Sequence, residues 1–343
     1  MVRTKLYKIT STDDENEIIE AAGTVRNGGI VAIPTETVYG LAACMTDGNA
    51  IDRLLSVRKC THVNPMSVYI SDMYMLVNVA MFIPQEAYTL AEKFWPGPLT
   101  IVLPKMDVVP DRVSGNLTTV GICMPSSEIV RRFIRYVQLP VVVPSANISG
   151  EPCATDAQRV IELFNGKIDG IIDGPKCEIG VESTIISLNG QTPKLIRPGP
   201  VTLEQLEKVL GRVEVDRAVM SRLKRASMVS SPGLLYRHNA PKTKLVLAKM
   251  PREKYIEKIN SMPGNIGALC FEEDAPYITR PCVVYGRQDQ PETQAYRIFD
   301  ALYEVDRLGV DVVYAHSPSE LTGLSLAVYT RLLRAADFDV IRN

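Results

Sequence analysis

The 343-residue chain has one Trp, three His and seven Cys, and no two of its cysteines form a CxxC pair. An odd number of cysteines without paired spacing writes neither a disulfide framework nor a zinc knuckle, and points to reduced thiols. An excess of charge is also missing. With 38 Lys and Arg against 39 Asp and Glu, overall charge gives no reason to expect polyanion binding, so direct stable nucleic-acid binding is not expected. No uncharged apolar run approaches the roughly 20 residues that a membrane-spanning helix needs. The start, MVRTKLYKITSTDDENEII, lacks the apolar core of a secretory signal, so a cytoplasmic protein is expected. Internal repeats and low-complexity tracts are absent, which excludes solenoids and propellers. Neither GxGxxG, a P-loop nor a GxSxG elbow occurs, and His62, His238 and His316 share no metal-ligand spacing.

What is present is an alternation of amphipathic helices and short Val/Ile-rich strands, with 46% apolar residues and a length that suggests two domains. Ile18 to Asn27 reads as a helix ended by Gly28-Gly29, and Ile30 to Ile33 as a buried strand. Helices follow at Ala50 to Val57, Pro84 to Phe94, Glu128 to Val137, Asp156 to Phe164 and Leu203 to Leu210. Strands fall at Met66 to Ile70, Leu99 to Leu103, Pro140 to Val143, Ile168 to Ile172 and Thr184 to Leu188. The pattern predicts a layered α/β domain over 1–211. From 212 to 242 a charged stretch leads into SSPGLLYRHNAP, rich in turn formers, which reads as a linker. A second α/β alternation over 243–343 predicts a smaller domain, with strands near Lys244 to Leu247, Asn265 to Cys270, Cys282 to Tyr285 and Asp311 to Ala315. Its helices are expected near Arg252 to Ser261, Gln294 to Leu308 and Leu324 to Asp337.

Open α/β sheets bind ligands beyond the ends of their strands, which draws attention to four polar loops of the first domain. They are PTETVYG (34–40), SVRKCTHVNP (56–65), PSANISG (144–150) and GPKCEIGVEST (174–184). PSAN puts a hydroxyl and a carboxamide directly after an apolar strand, which suits hydrogen bonding to a phosphate or an amide, with an Asx or Ser turn as the plainer alternative. GVEST offers Glu182, Ser183 and Thr184 at a strand start. RPGP (197–200) offers Arg197 to a phosphate or to a surface ion pair. Residue chemistry alone leads to a two-domain α/β protein with an unusual phosphate site.

Taken in order, GGIVAIPTETVYGLA, WPGPLT, PVVVPSANISG, DGIIDGPKCEIGVESTII, KLIRPGPVTLEQLEKVLG and SPGLLYRHNAPKTKLVL resemble the threonylcarbamoyl-AMP synthase family in its long two-domain form. The tail, LYEVDRLGVDVVYA followed by GLSLAVYTRLLRAA, resembles that family's C-terminal domain. The resemblance implies a YrdC-like twisted open-sheet domain, a linker lying across its cleft, and a small Rossmann-like α/β domain. It implies condensation of L-threonine, bicarbonate and ATP into threonylcarbamoyl-AMP with release of pyrophosphate, with Mg2+ accompanying ATP. A separate transferase would then pass the group to tRNA.

Carried over by motif, Thr37 and Ser183 are expected at threonine. Asn64, Thr119, Ser145, Arg197 and Tyr236 are expected at ATP, with Arg58 and Lys59 supplying catalytic charge. Tyr236 and His238 are expected to close over nucleotide. Four positions depart from the family pattern. Arg58 and Cys60, flanking Lys59, stand where a Lys-x-Arg pair is usual. Tyr69 stands where His is frequent, Cys123 where an Arg precedes MP, and Cys153 where a small hydroxyl residue is common. Cys at 123 removes a bidentate partner for a carboxylate. These departures keep open a paralogue that makes a different carbamoyl-adenylate and a non-catalytic nucleotide-binding homologue. A thiol or metal site formed by Cys60, Cys123 and Cys153 competes with the commoner case of three small buried side chains.

Overall fold

The computed structural model describes residues 2–60, 64–221 and 239–342. The first domain is built on an eleven-stranded mixed sheet. In chain order its strands are β1 (Lys5–Lys8), β2 (Val31–Pro34), β3 (Tyr39–Cys44), β4 (Ser67–Tyr69), β5 (Leu99–Pro104), β6 (Thr119–Cys123), β7 (Val141–Val142), β8 (Gly170–Asp173), β9 (Thr184–Ser187), β10 (Lys194–Arg197) and β11 (Glu214–Val215). They lie side by side in the order β1-β8-β2-β3-β7-β4-β6-β5-β9-β10-β11.

Strand side chains alternate between faces, and the burial of β2 shows the consequence. Val31 and Ile33 join a core made by α1 (Glu15–Arg26) and α6 (Glu128–Val137), through Ile18, Val25, Phe133 and Val137. Ala32 joins the opposite core, which is covered by α2 (Gly48–Val57), α4 (Gln85–Phe94), α7 (Ala157–Phe164) and α8 (Leu203–Leu210). Both faces are therefore dry, which is why these strands read as continuous apolar runs. Several helix starts are capped locally. Asp47 accepts from the backbone N–H groups of Asn49 and Ala50, Asp156 caps α7, and Thr202 with Gln205 forms a capping box on α8. Short helices α3 (Met73–Leu76) and α5 (Asp111–Ser114) complete this domain. Trp95 is buried in the core beside α4 and donates its ring N–H to Leu99 O at 2.7 Å.

The second domain is a five-stranded, all-parallel sheet in the order β14-β13-β15-β12-β16. Its strands are β12 (Lys244–Lys249), β13 (Ile266–Cys270), β14 (Cys282–Val284), β15 (Val312–His316) and β16 (Val340–Arg342). Helix α9 (Arg252–Ser261) covers one face through Tyr255 and Ile259. Helices α10 (Pro291–Val305) and α11 (Gly323–Ala335) cover the other. The core under α10 and α11 also takes in Val38, Cys153 and Val181 of the first domain, so one apolar cluster spans both domains. Polar contacts ring it: Thr155 and Lys176 both bond Asp300 at 2.7 Å, and the Arg159 guanidinium lies 3.5 Å from the Tyr303 ring centroid. Gly180 has φ +85°, and a Cβ there would meet Ala295 O at 2.5 Å, so this position needs glycine to let the two backbones approach.

The helices expected at 128–137, 203–210 and 252–261 stand at those bounds. Two differences bear on the site. PTETVYG, read as a loop, opens directly into β3, which pairs antiparallel with β2. Residues 212–221, read as the start of a linker, carry β11, which adds to the sheet beside β10.

Candidate functional site

A cleft opens at the junction of the four polar loops. It is lined by Thr37 and Val38 before β3, Arg58 and Cys60 after α2, Asn64 and Ser67 around the start of β4, and Tyr69 at its end. Ser145 and Ser149 after β7, Glu182 and Ser183 before β9, and Arg197 at the end of β10 complete the polar lining. Segments far apart in sequence thus converge because the strand order places β3, β7 and β4 side by side.

Arg58 owes its position to the way α2 ends. Lys59 adopts a left-handed conformation (φ +53°), and the N–H of Cys60 bonds back to Leu55 O, which closes the helix in a Schellman-like turn. Ser149 N–H then bonds Arg58 O at 2.8 Å, docking the turn onto the PSAN loop. The Arg58 side chain lies across Asn147, donating Nε to its carbonyl at 3.3 Å and Nη2 to its Oδ1 at 3.0 Å. Ser145 donates to the same Oδ1 at 2.8 Å, and Asn147 is itself held by Glu151 O. These partners are neutral oxygens. Among the described residues Arg58 has no carboxylate partner, and burial lowers its guanidinium from the usual value. A half-buried cation held by neutral oxygens, with no counter-ion among the described residues, is able to take an anion.

The opposite wall is a clamp. Arg197 donates Nε to Ser183 O at 3.0 Å and Nη2 to Ser183 Oγ at 3.1 Å, and Thr100 Oγ1 lies 2.8 Å from the same hydroxyl. Gly199 permits this approach, since a Cβ there would stand 2.5 Å from Thr184 N. Glu182, one residue before Ser183, is nearly buried. Its Oε2 accepts from Arg331 Nε and its Oε1 from Asn239 Nδ2, each at 2.8 Å, while Arg197 Nη1 stands off at 3.9 Å. Burial lowers the Arg197 guanidinium; Glu182 works against that and Arg331 adds to it.

Thr37, Asn64, Ser145, Ser183, Arg58, Arg197, Cys60 and Tyr69 thus share one cleft, as the motifs suggest. Lys59 is exposed and does not line it. Thr119 is buried as the first residue of β6, opposite Pro104, and is not part of the lining. Cys123 lies beside the cleft, where β6 pairs with Tyr69 of β4, its thiol aimed at Gly97 O and raised well above the usual range by burial. Burial raises the Tyr69 phenol and the Cys153 thiol as well. Cys153 bonds Asn239 Oδ1, so Cys123 and Cys153 serve different neighbours. Among the described residues no group of three or more His, Cys, Asp or Glu is placed to hold a metal. Tyr236 and His238 lie outside the described residues. Sequence reasoning did not find Arg331 or Asn239. Arg331 had a signal: it interrupts the apolar stripe of Ala327, Val328, Leu332 and Ala335 in α11.

Residues 24–199 match the Sua5/YciO/YrdC family model, described as "Telomere recombination", and 201–337 match "Threonylcarbamoyl-AMP synthase, C-terminal domain". The chain is 40% identical over 349 residues to a threonylcarbamoyl-AMP synthase of Pyrococcus abyssi, covering 99% of each chain. It is 37% identical over 350 residues to one of Bacillus subtilis, covering 99% of this chain and 100% of the relative. The crystal structure of P. abyssi Sua5 complexed with L-threonine superposes with a TM-score of 0.88 at 39% identity, covering 100% of this chain and 99% of that one.

Proposed function

The chain belongs to the threonylcarbamoyl-AMP synthase family, and from that premise we propose how its cleft forms the adenylate. The protein is an ATP-using enzyme that makes threonylcarbamoyl-AMP, with L-threonine as substrate. The connectivity of that product requires two bonds. The threonine nitrogen joins a one-carbon acid, which we take as bicarbonate, with loss of water. A carbamate oxygen then displaces pyrophosphate from the α-phosphorus of ATP. No protein nucleophile is needed, so positioning and electrostatics carry the rate.

The observation that carries the reading is that two cations line one cleft, Arg58 with no carboxylate partner among the described residues and Arg197 clamped on Ser183. We assign Arg58, Asn64, Ser145 and Arg197 to the nucleotide and its phosphates, and Thr37 and Ser183 to threonine. Lys59 and Thr119, which do not line the cleft, are left without a substrate contact. For Tyr236 a nucleotide contact rests on the resemblance of its segment alone.

Magnesium fits as an ion carried by ATP rather than a resident one. The described lining offers hydroxyls and one carboxamide, and its carboxylate, Glu182, is already bonded by Arg331 and Asn239. When bound, the ion neutralises triphosphate charge and eases departure of pyrophosphate. No helix of the described residues is long and apolar enough to cross a membrane. With free cysteines and a tRNA-directed product, we place the enzyme in the cytoplasm, upstream of a separate transferase that consumes the adenylate.

Incubation with ATP, Mg2+, bicarbonate and a mixture of amino acids, followed by mass spectrometry, tests this. Threonylcarbamoyl-AMP is the expected product, and Ser183→Ala should raise KM for threonine roughly tenfold by removing a hydroxyl contact. A dominant product built on another amine would overturn threonine as the substrate. Cys123, where the resemblance leads to an expected Arg, is the feature that would then account for it.

A further inference from the structure

We propose that Arg331, contributed by the second domain, is a positioning residue for the substrate cleft of the first. It sits in α11 at 4% exposure and makes two contacts across the domain boundary. Nε donates to Glu182 Oε2 at 2.8 Å and Nη1 to Pro198 O at 2.6 Å. Glu182 precedes Ser183, and Pro198 follows Arg197. One guanidinium therefore holds, from behind, both segments of the clamp in which Arg197 donates twice to Ser183.

The charges give this brace a second effect. Glu182 is a single buried carboxylate between two guanidiniums, bonded to Arg331 and 3.9 Å from Arg197. A buried charge must be compensated, and the partner that makes the shorter, hydrogen-bonded contact supplies most of the compensation. With Arg331 in place, Arg197 keeps its donors on Ser183 and much of its charge for an incoming anion. Without it, Arg197, the other guanidinium beside Glu182 among the described residues at 3.9 Å, would close the gap and turn away from the ligand. Asn239 Nδ2 occupies Glu182 Oε1 but brings no charge, so it does not replace Arg331.

The inference rests on the assignment of Arg197 to ATP. Its test compares KM and Kd for ATP in wild type, Arg331→Met, Arg331→Lys and the double variant Glu182→Gln/Arg331→Met. Met keeps the stem and removes the charge, and about a tenfold rise in Kd and KM for ATP is expected with a smaller change in kcat. Lys keeps the charge but cannot make both contacts, and should fall between, at roughly threefold. The double variant removes the carboxylate that would divert Arg197, and should recover most of the lost ATP affinity. A role confined to stability predicts the reverse split, with a reduced active fraction lowering kcat at unchanged KM.

Unchanged KM for ATP in R331M, or a double variant no better than R331M, overturns the proposal. Should R331M fail to fold, R331K decides in the same way, since unchanged KM there is equally fatal. Because ATP binding is read directly, the two readings fail separately. Wild type that binds ATP but makes no threonylcarbamoyl-AMP sinks the reaction and leaves the Arg331 comparison valid. Wild type that makes product while R331M binds ATP normally sinks the brace alone. Wild type that does not bind ATP sinks both.

Discussion

Glu36 precedes Thr37 in the chain but does not line the cleft; its carboxyl is nearly buried, and its Oε2 has no hydrogen-bond partner among the described residues. Burial raises it above its ordinary value of 4.5, and backbone N–H groups of Glu36, Ser126 and Ser127 offset only part of that. Below the ordinary value the group is protonated in folded and unfolded chains alike, so it imposes no cost. As pH rises above that value the unfolded chain ionises first, and stability falls until the folded carboxyl ionises too. Glu36→Gln removes this slope. Its melting temperature relative to wild type should be higher at pH 7.5 than at pH 4.5. Equal differences at the two pH values would mean that Glu36 ionises without penalty. At this scale the sequence made its loop polar groups legible, because Thr37, Ser145 and Ser183 sit in turns directly attached to apolar strands. It hid Arg331 and Asn239, because their partner, Glu182, lies 149 and 57 residues away. Spacing along a chain carries no information about such pairs.

Helices were legible where caps and apolar period agree, as at Glu128–Val137 and Leu203–Leu210, whose starts are capped by Ser127 and Thr202. Strands without such punctuation were not. β3 follows turn-like residues without a break, and two-residue β11 is too short to show any period. The tight contact between β9 and β10 shows how an element can carry function. These strands pair antiparallel with an irregularity between Leu195 and Arg197, and Gly199 then passes against the backbone of Glu182 and Thr184. Gly199→Ala would push Arg197 away from Ser183. Activity should fall at least tenfold, with loss of stability on the order of 1–3 kcal/mol, measured by steady-state kinetics and urea unfolding. Retention of wild-type KM for both ATP and threonine would show that the clamp tolerates the shift.

Over the whole molecule, the two domains announced themselves in sequence by a break in the α/β alternation, but the surface between them did not. That surface mixes Val38, Cys153 and Val181 with the core under α10 and α11, and rings them with Asp300, Tyr303 and Arg331. Contacts of this kind resemble an interior more than a meeting of two surfaces, so opening one domain should expose apolar area on the other.

Trp95 turns that expectation into something optical. It is the chain's single tryptophan, it lies wholly within the first domain's core, and its ring N–H is tied to Leu99 O. Its emission therefore senses only that domain, whereas far-ultraviolet ellipticity sums the helices of both. In urea, the two signals should trace superimposable curves with one midpoint. An ellipticity change that runs ahead of the fluorescence, or lags behind it, would show the domains melting one at a time. The native protein thus carries its own one-sided spectroscopic probe, and no label has to be introduced to ask whether its halves share a fate.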